Sequence, residues 1–220
     1  MNTPDISTTV AAAHLGLFFD TETTGLPLFS EPSEDPRQPH IVQLAATLVD
    51  LDTREVVDTL NVLIKPDGWE SEPRALETHG ITTERGLAEG IPEAEALSQF
   101  LAMHARAEVR IAHNEQFDAR ILRIAIKRFK AEEAALADEW KAGNAECTQK
   151  LATPILKLPA TAAMLRSRFK NNFKSANLRE AYKHFTGQDL EGAHDAMVDV
   201  QGCMAVYFAI QDMSVEQAAA

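Results

Sequence analysis

The chain predicts an α/β fold: a mixed sheet flanked by helices. Three observations point to it. Residues 41–50 and 55–65 are both rich in β-branched and apolar residues, and the short turn Leu51–Arg54 separates them, which is the pattern of a hairpin. Beyond residue 65, strand-like and helix-like segments alternate, which suits helices packed on a sheet that is only partly antiparallel. The 220 residues, 45% of them hydrophobic, can bury one sizeable core, and no repeat or linker divides them.

Taken in order, residues 1–13 are small and polar and read as a loose tail. His14–Glu22 is an apolar strand that ends in Thr-Thr-Gly. Residues 28–39, LFSEPSEDPRQP, hold three prolines and three acids and read as a surface loop. The hairpin strands follow. Pro73–His79 is a short helix closed by Gly80, and Pro92–Arg106 is a helix with proline in its first turn. Glu108–Ala112 is a short strand, and 115–140 reads as one long helix. The stretch 146–175 is irregular apart from a helix around 160–169. Leu178–Phe185 and 195–211 are the last helices, which leaves 212–220 as a second tail and 14–211 as a single domain.

Composition narrows the class. No apolar run approaches the ~20 residues of a membrane span, and MNTPDISTTVAAAHL is a poor signal peptide, so a cytoplasmic protein with no membrane partner is expected. Cys147 and Cys203 form no ligand spacing, which fits a reducing compartment and argues against zinc. A net charge of −12 is unlike that of a nonspecific nucleic-acid coat. Residues 141–179, however, hold eight Lys and Arg against one acid, a local electropositive region.

Three acidic elements carry the chemistry. Asp20 and Glu22 lie two apart at the end of a strand, so their carboxylates share a face roughly 6–7 Å apart and repel unless a cation lies between them. Taken alone, the pair also reads as a solvated strand terminus. In His113-Asn114-Glu115-Gln116-Phe117-Asp118, Asn114 is a candidate N-cap. Arg120, Arg123, Lys127 and Lys130 form a polar stripe, and Asp118 lies on the opposite side with Ile121, Leu122, Ala125 and Phe129. An inward acid needs a partner or a metal; the plainer reading is a first-turn acid on the helix dipole. In His194-Asp195-Ala196-Met197-Val198-Asp199, Asp199 shares a face with Cys203, Val206 and Ile210. His194 alone would read as a cap or core histidine. Together, four inward acids and a histidine can coexist around hard divalent ions, Mg²⁺ or Mn²⁺. Two such ions clamp the attacking and leaving oxygens of a phosphodiester, and His194 can take a proton near neutral pH.

DTETTG, HNEQFDARIL and HDAMVD resemble, in order and spacing, the three motifs of the DnaQ-like (DEDD) 3′→5′ exonucleases, and the likeness runs from about Leu15 to Ile210. The resemblance implies a ribonuclease H-like five-stranded sheet, two metal ions and stepwise release of nucleoside 5′-monophosphates from a 3′ end. It makes Asp20, Glu22, Asp118 and Asp199 the metal-binding acids. His194 becomes the general base of the histidine subtype, since Asp195 stands where the tyrosine subtype needs Tyr. It places Thr21, Thr23, Thr24, Gly25 and Leu26 at the terminal nucleotide, with Leu26 as a wedge beside the base. His79 resembles the substrate-contacting histidine, though it also reads as a helix C-terminal cap, and Asn114 and Phe117 shape the pocket.

The partner implied is single-stranded nucleic acid or a 3′ end, DNA ahead of RNA. An RNA exonuclease of the ribonuclease T or oligoribonuclease type is the alternative. A silent binding module would be expected to have lost one of the five residues, and no EF-hand-like loop suggests a simple cation binder. The 28–39 loop is longer than in the compact members of the family and could restrict the mouth of the site, and the 141–179 segment is also long and basic. The chain shows no tail like that by which the proofreading subunit binds its polymerase, so a polymerase partner has no support in the sequence.

Overall fold

The computed structural model describes residues 13–133 and 135–219. The expected N-terminal tail, 1–13, lies almost wholly outside them. The hairpin forms as its pattern requires: β2 (Ile41–Asp50) and β3 (Val56–Leu63) pair antiparallel. β1 (Leu15–Thr23) pairs antiparallel with β2 on one side and parallel with β4 (Val109–Ala112) on the other. β4 pairs parallel with β5 (Ala145–Cys147), so the five-stranded mixed sheet has the order β3-β2-β1-β4-β5.

β1 lies mid-sheet and is covered on both faces, which explains its continuous apolar run. Leu17 and Phe19 pack against α3 (Glu93–His104), α4 (Glu115–Phe129) and α5 (Leu136–Ala142), beside Leu97, Phe100, Leu122 and Trp140. Phe18 points the other way, onto Val200, Cys203 and Tyr207 of α9 (Ala196–Ala219). By this alternation Asp20 and Glu22 continue the α9 face and Thr21 continues the α4 face.

The remaining helices are α1 (Pro73–His79), α2 (Thr83–Glu89), α6 (Thr148–Leu156), α7 (Ala162–Leu165) and α8 (Leu178–Thr186). α1 ends at Gly80 with φ 67°, a left-handed cap that glycine adopts without strain.

Several expectations are corrected. The helix read over 115–140 is two helices. α4 stops at Phe129 and the chain reverses, so that Trp140 of α5 is buried against Phe19 and Phe100 and donates its indole N–H to the Ala119 carbonyl (2.9 Å). Pro92 is the N-cap of α3, not a first-turn residue. The helix expected around 160–169 spans only four residues, whereas α6, with Pro154 inside it, is helical within the stretch read as irregular. α2 and β5 have no counterpart in the sequence reading. The last helix does not stop at 211 but runs on through most of the expected tail, to Ala219. No helix among the described residues is long and apolar enough to cross a membrane.

Part of the polar stripe of α4 is covered by the 28–39 loop, and Arg123 reaches the Ser33 hydroxyl (3.5 Å). Arg120 donates to Glu31 O (2.6 Å) and Arg128 to Gln38 O (2.7 Å) and Pro39 O (3.2 Å), so the 28–39 loop is strapped onto the helix. Inside the loop, the buried Gln38 amide bonds Leu28 N and the carbonyls of Leu28 and Pro32.

Candidate active site

The site forms where β1 ends between α4 and α9. Asp20 and Glu22 leave the strand on the α9 side, where Asp199 stands in the first turn of α9. Thr21 leaves on the other side and reaches Asp118. Its backbone N–H (3.0 Å) and its hydroxyl (2.7 Å) both donate to Asp118 Oδ1, which fixes that buried carboxylate. Thr21, expected at the terminal nucleotide, is thus first a positioning residue for Asp118.

The carboxylates perturb one another. Asp20 is held well above the ordinary carboxylate range, by burial first and then by the charges of Asp118, Asp199, Glu22 and Asp195. Glu22 is pushed to about 8, by burial and then by Asp199, Asp118 and Asp195. Asp118 is raised to about 7, burial outweighing the two hydrogen bonds from Thr21. Burial also raises Asp199, against the opposing pull of the His194 backbone N–H. Four acids gathered this way disfavour their own ionised forms until positive charge arrives.

His194 is exposed with φ 76°, a left-handed turn that histidine tolerates better than most side chains. The turn aims its backbone N–H at Asp199 Oδ2 (3.1 Å). One ligand atom each of Glu22, His194 and Asp199 lie within 4.8 Å of one another. Asp199 Oδ1 is buried with no hydrogen-bond partner among the described residues. An orphaned carboxylate oxygen amid hard oxygen donors fits a divalent cation.

A cavity of 420 Å³ opens beside Glu22, within the usual size range of small-ligand sites. Thr21, Thr23, Gly25, Leu26, His79 and Phe117 line it. Leu26 is 69% exposed. The Thr23 hydroxyl donates to Gly25 O (2.8 Å), and a Cβ on Gly25 would meet the Glu72 carboxyl at 2.7 Å. His79 Nδ1 accepts from Ile81 N (3.0 Å) at the end of α1, and the ring lines the cavity with Nε2 buried and, among the described residues, unpartnered. Two residues depart from expectation. Thr24 is not in the lining; its hydroxyl accepts from His40 N (3.0 Å), which ties the strand end to the start of β2. Asn114 makes no side-chain cap and is exposed; with φ 66° it turns the chain into α4.

Two contributors escaped the sequence reading. Asp195 is the cap of α9, its Oδ1 accepting from Met197 N (3.0 Å) and Val198 N (3.4 Å). Gln43 of β2 accepts from Ala196 N (3.1 Å) and donates to Asp195 Oδ2 (3.3 Å), so it clamps the end of α9 that carries His194 and Asp199. Both had a signal: an Asp ahead of an apolar helix, and one amide inside an otherwise apolar strand. Glu72 and Arg74, also in the lining, had none.

Comparison with known proteins decides the family. The exonuclease family profile matches residues 17–207, nearly the whole described chain. The chain belongs to the exonuclease family. The DnaQ-like resemblance of its three motifs therefore holds. A PolC-type DNA polymerase III from Thermotoga petrophila is 36% identical over 109 residues, 50% of this chain and 7% of the polymerase. The fold superposes on E. coli exonuclease I in complex with a 5cy-dT13 oligonucleotide, with a TM-score of 0.68 at 19% identity, covering 93% of this chain and 41% of that one. The zinc-bound complex of E. coli exonuclease I with single-stranded DNA matches at TM-score 0.63 and 19% identity, covering 90% and 40%. The chain thus spans about two fifths of these exonuclease I chains, and the shared part is the ribonuclease H-like exonuclease fold.

Proposed function

We propose that this exonuclease domain hydrolyses nucleic acid from the 3′ end, releasing nucleoside 5′-monophosphates one at a time, with single-stranded DNA as the favoured substrate. The observation that carries the reading is the convergence of Asp20, Glu22, Asp118 and Asp199, from three elements, beside a cavity of nucleotide size. A pocket flanked by Leu26, Phe117 and His79 accepts a terminal base and sugar.

The four acids would hold two divalent ions, Mg²⁺ or Mn²⁺, which when bound polarise the phosphoryl group and stabilise charge on the attacking and leaving oxygens. The chain's own residues do the rest. Thr21 keeps Asp118 in place, and Gln43 and Asp195 keep Asp199 in place. His194, exposed at the rim, accepts a proton from the attacking water at a ring nitrogen. Leu26 separates the terminal base from its neighbour, which orients the last phosphodiester. DNA is favoured because the similar solved complexes hold DNA oligonucleotides and the PolC-type relative is a DNA polymerase. Cytoplasmic localisation belongs to the same reading.

The test is a time course on 3′-labelled and 5′-labelled strands of DNA and RNA, single-stranded and duplex, with Mg²⁺ or Mn²⁺. A ladder shortening from the 3′ end, with mononucleotide 5′-phosphates as product and single-stranded DNA cut fastest, is expected. Shortening from the 5′ end, or internal cuts, would overturn the proposal.

A further inference from the structure

The segment between α6 and α8 is not explained by the catalytic cluster. It exposes three large apolar side chains: Leu165 (60%), Phe169 (46%) and Phe173 (48%). Between them stand Arg166, Arg168 and Lys170, all exposed and absent from every ion pair among the described residues. The Arg168 guanidinium lies over the Phe169 ring, 4.8 Å from its centroid. Half-exposed aromatics offer flat apolar faces to solvent, and unpaired cations beside them suit a polyanion with flat faces. Lys174 does not share this role, because its ammonium is paired with Glu180.

The segment is tied at its foot to α6 and to the turn that leads into α4. The Ala176 carbonyl accepts from His113 Nε2 (3.0 Å), and Ala176 N donates to the Thr153 hydroxyl (3.2 Å). His113 opens the motif that ends in Asp118. A groove of 490 Å³ runs between α6 and the segment, lined among others by Lys150, Asn171, Asn172 and Phe173. The chain as a whole carries −12, and its active site is ringed by acids, so a polyanion approaching the site needs compensating positive charge nearby.

We infer that this segment is a track for the single strand 5′ of the scissile phosphate. Bases upstream of the terminal nucleotide stack on Phe169 and Phe173, and their phosphates lie against Lys150, Arg166, Arg168 and Lys170. The track supplies affinity to long strands and none to a dinucleotide, which cannot reach it. A protein partner is the less apt occupant, since alternating cations interrupt the apolar surface at every second position. The inference rests on the exonuclease reading for the strand's direction, but the surface can be tested without it.

Two variants test it: Arg166→Gln with Arg168→Gln and Lys170→Gln, and Phe169→Ala with Phe173→Ala. Both alter exposed side chains, so unchanged melting is expected of each. Binding is read by anisotropy on a 20-nucleotide oligothymidylate with an uncleavable phosphorothioate 3′ end, across a salt series. Hydrolysis is read on a dinucleotide and on the cleavable 20-mer. The cation variant is expected to lower the salt slope by about 2, at roughly 0.7 for each phosphate no longer neutralised. The aromatic variant is expected to weaken 20-mer binding at least about tenfold, because two stacking platforms are gone. Both should cut the dinucleotide within about twofold of wild type. Equal losses on the two substrates, no loss on either, or a wild type that fails to bind the 20-mer would overturn the track. A wild type that binds the 20-mer through these residues yet shortens no strand would sink the exonuclease reading and leave the track standing.

Discussion

Glu22→Gln in the metal-free protein should raise stability, not lower it. In the folded chain Glu22 titrates at about 8, against an ordinary 4.5, because burial and the charges of Asp199, Asp118 and Asp195 all oppose ionisation. Between those two pH values the folded protein holds a proton that the unfolded chain has released. Wild-type stability therefore rises as the pH falls from about 8 to 4.5, and the cost of the ionisable group is fully expressed above 8. At ~1.4 kcal/mol per unit, the cost at pH 7 is on the order of 3 kcal/mol, and at pH 5 it is about 1 kcal/mol. Glutamine carries no charge and removes it. For a chain of this length, ~3 kcal/mol corresponds to roughly 5–10 °C in Tm. The assay is thermal unfolding in EDTA at pH 7 and pH 5, wild type against variant. The variant should melt higher at pH 7, with a gap that shrinks at pH 5. Mn²⁺ should then reverse the order, because metal binds and stabilises the wild type by mass action. A variant no more stable than wild type at pH 7, or a gap independent of pH, would refute the claim that these carboxylates repel in the empty site.

Three more outcomes follow from the same geometry. His194→Asn, which suits the left-handed turn at φ 76°, should lower kcat by ~10²–10⁴, the usual contribution of a general base, while circular dichroism and melting stay near wild-type values because the side chain is exposed; loss of folded signal would make it a structural residue instead. Thr21→Val deprives Asp118 of its 2.7 Å hydroxyl donor and should weaken Mn²⁺ binding by ~10–100-fold in a metal titration, and unchanged affinity would remove its positioning role. Gln43→Leu breaks the clamp on the start of α9 and should cost ~1–3 kcal/mol in urea unfolding while depressing kcat, whereas a neutral result on both counts would show that Asp195 alone holds the helix.

The convergence of the acids was legible in the sequence because it obeys short-range periodicities. The period of two along β1 places Asp20 and Glu22 on one face, and the helical spacing around Asp118 turns it away from Arg120 and Arg123. What the spacing could not show is what covers each face. The α4 arginines have the pattern of a solvated stripe, and only the tertiary fold brings the 28–39 loop down onto them. Likewise, nothing local distinguishes Thr21 facing a nucleotide from Thr21 holding Asp118. The break between α4 and α5 is set by the burial of Trp140 against residues more than a hundred positions away, such as Phe19. β5 has three residues, too few for any alternation to register, and Pro154 masks the helical pattern of α6. Phe169 and Phe173 could each have been core; their exposure is a fact of the fold alone.

On the proposed reading, Asp20, Glu22, Asp118 and Asp199 together hold the catalytic ions. Anomalous scattering from crystals grown with Mn²⁺ and a nucleoside 5′-monophosphate tests it most directly. Two peaks about 3.5–4 Å apart, ligated by these four carboxylates and flanked by the nucleotide phosphate beside Leu26 and Phe117, are the predicted result. Manganese bound elsewhere, for instance at Glu31 and Asp35 of the surface loop, with the four acids empty, would contradict it.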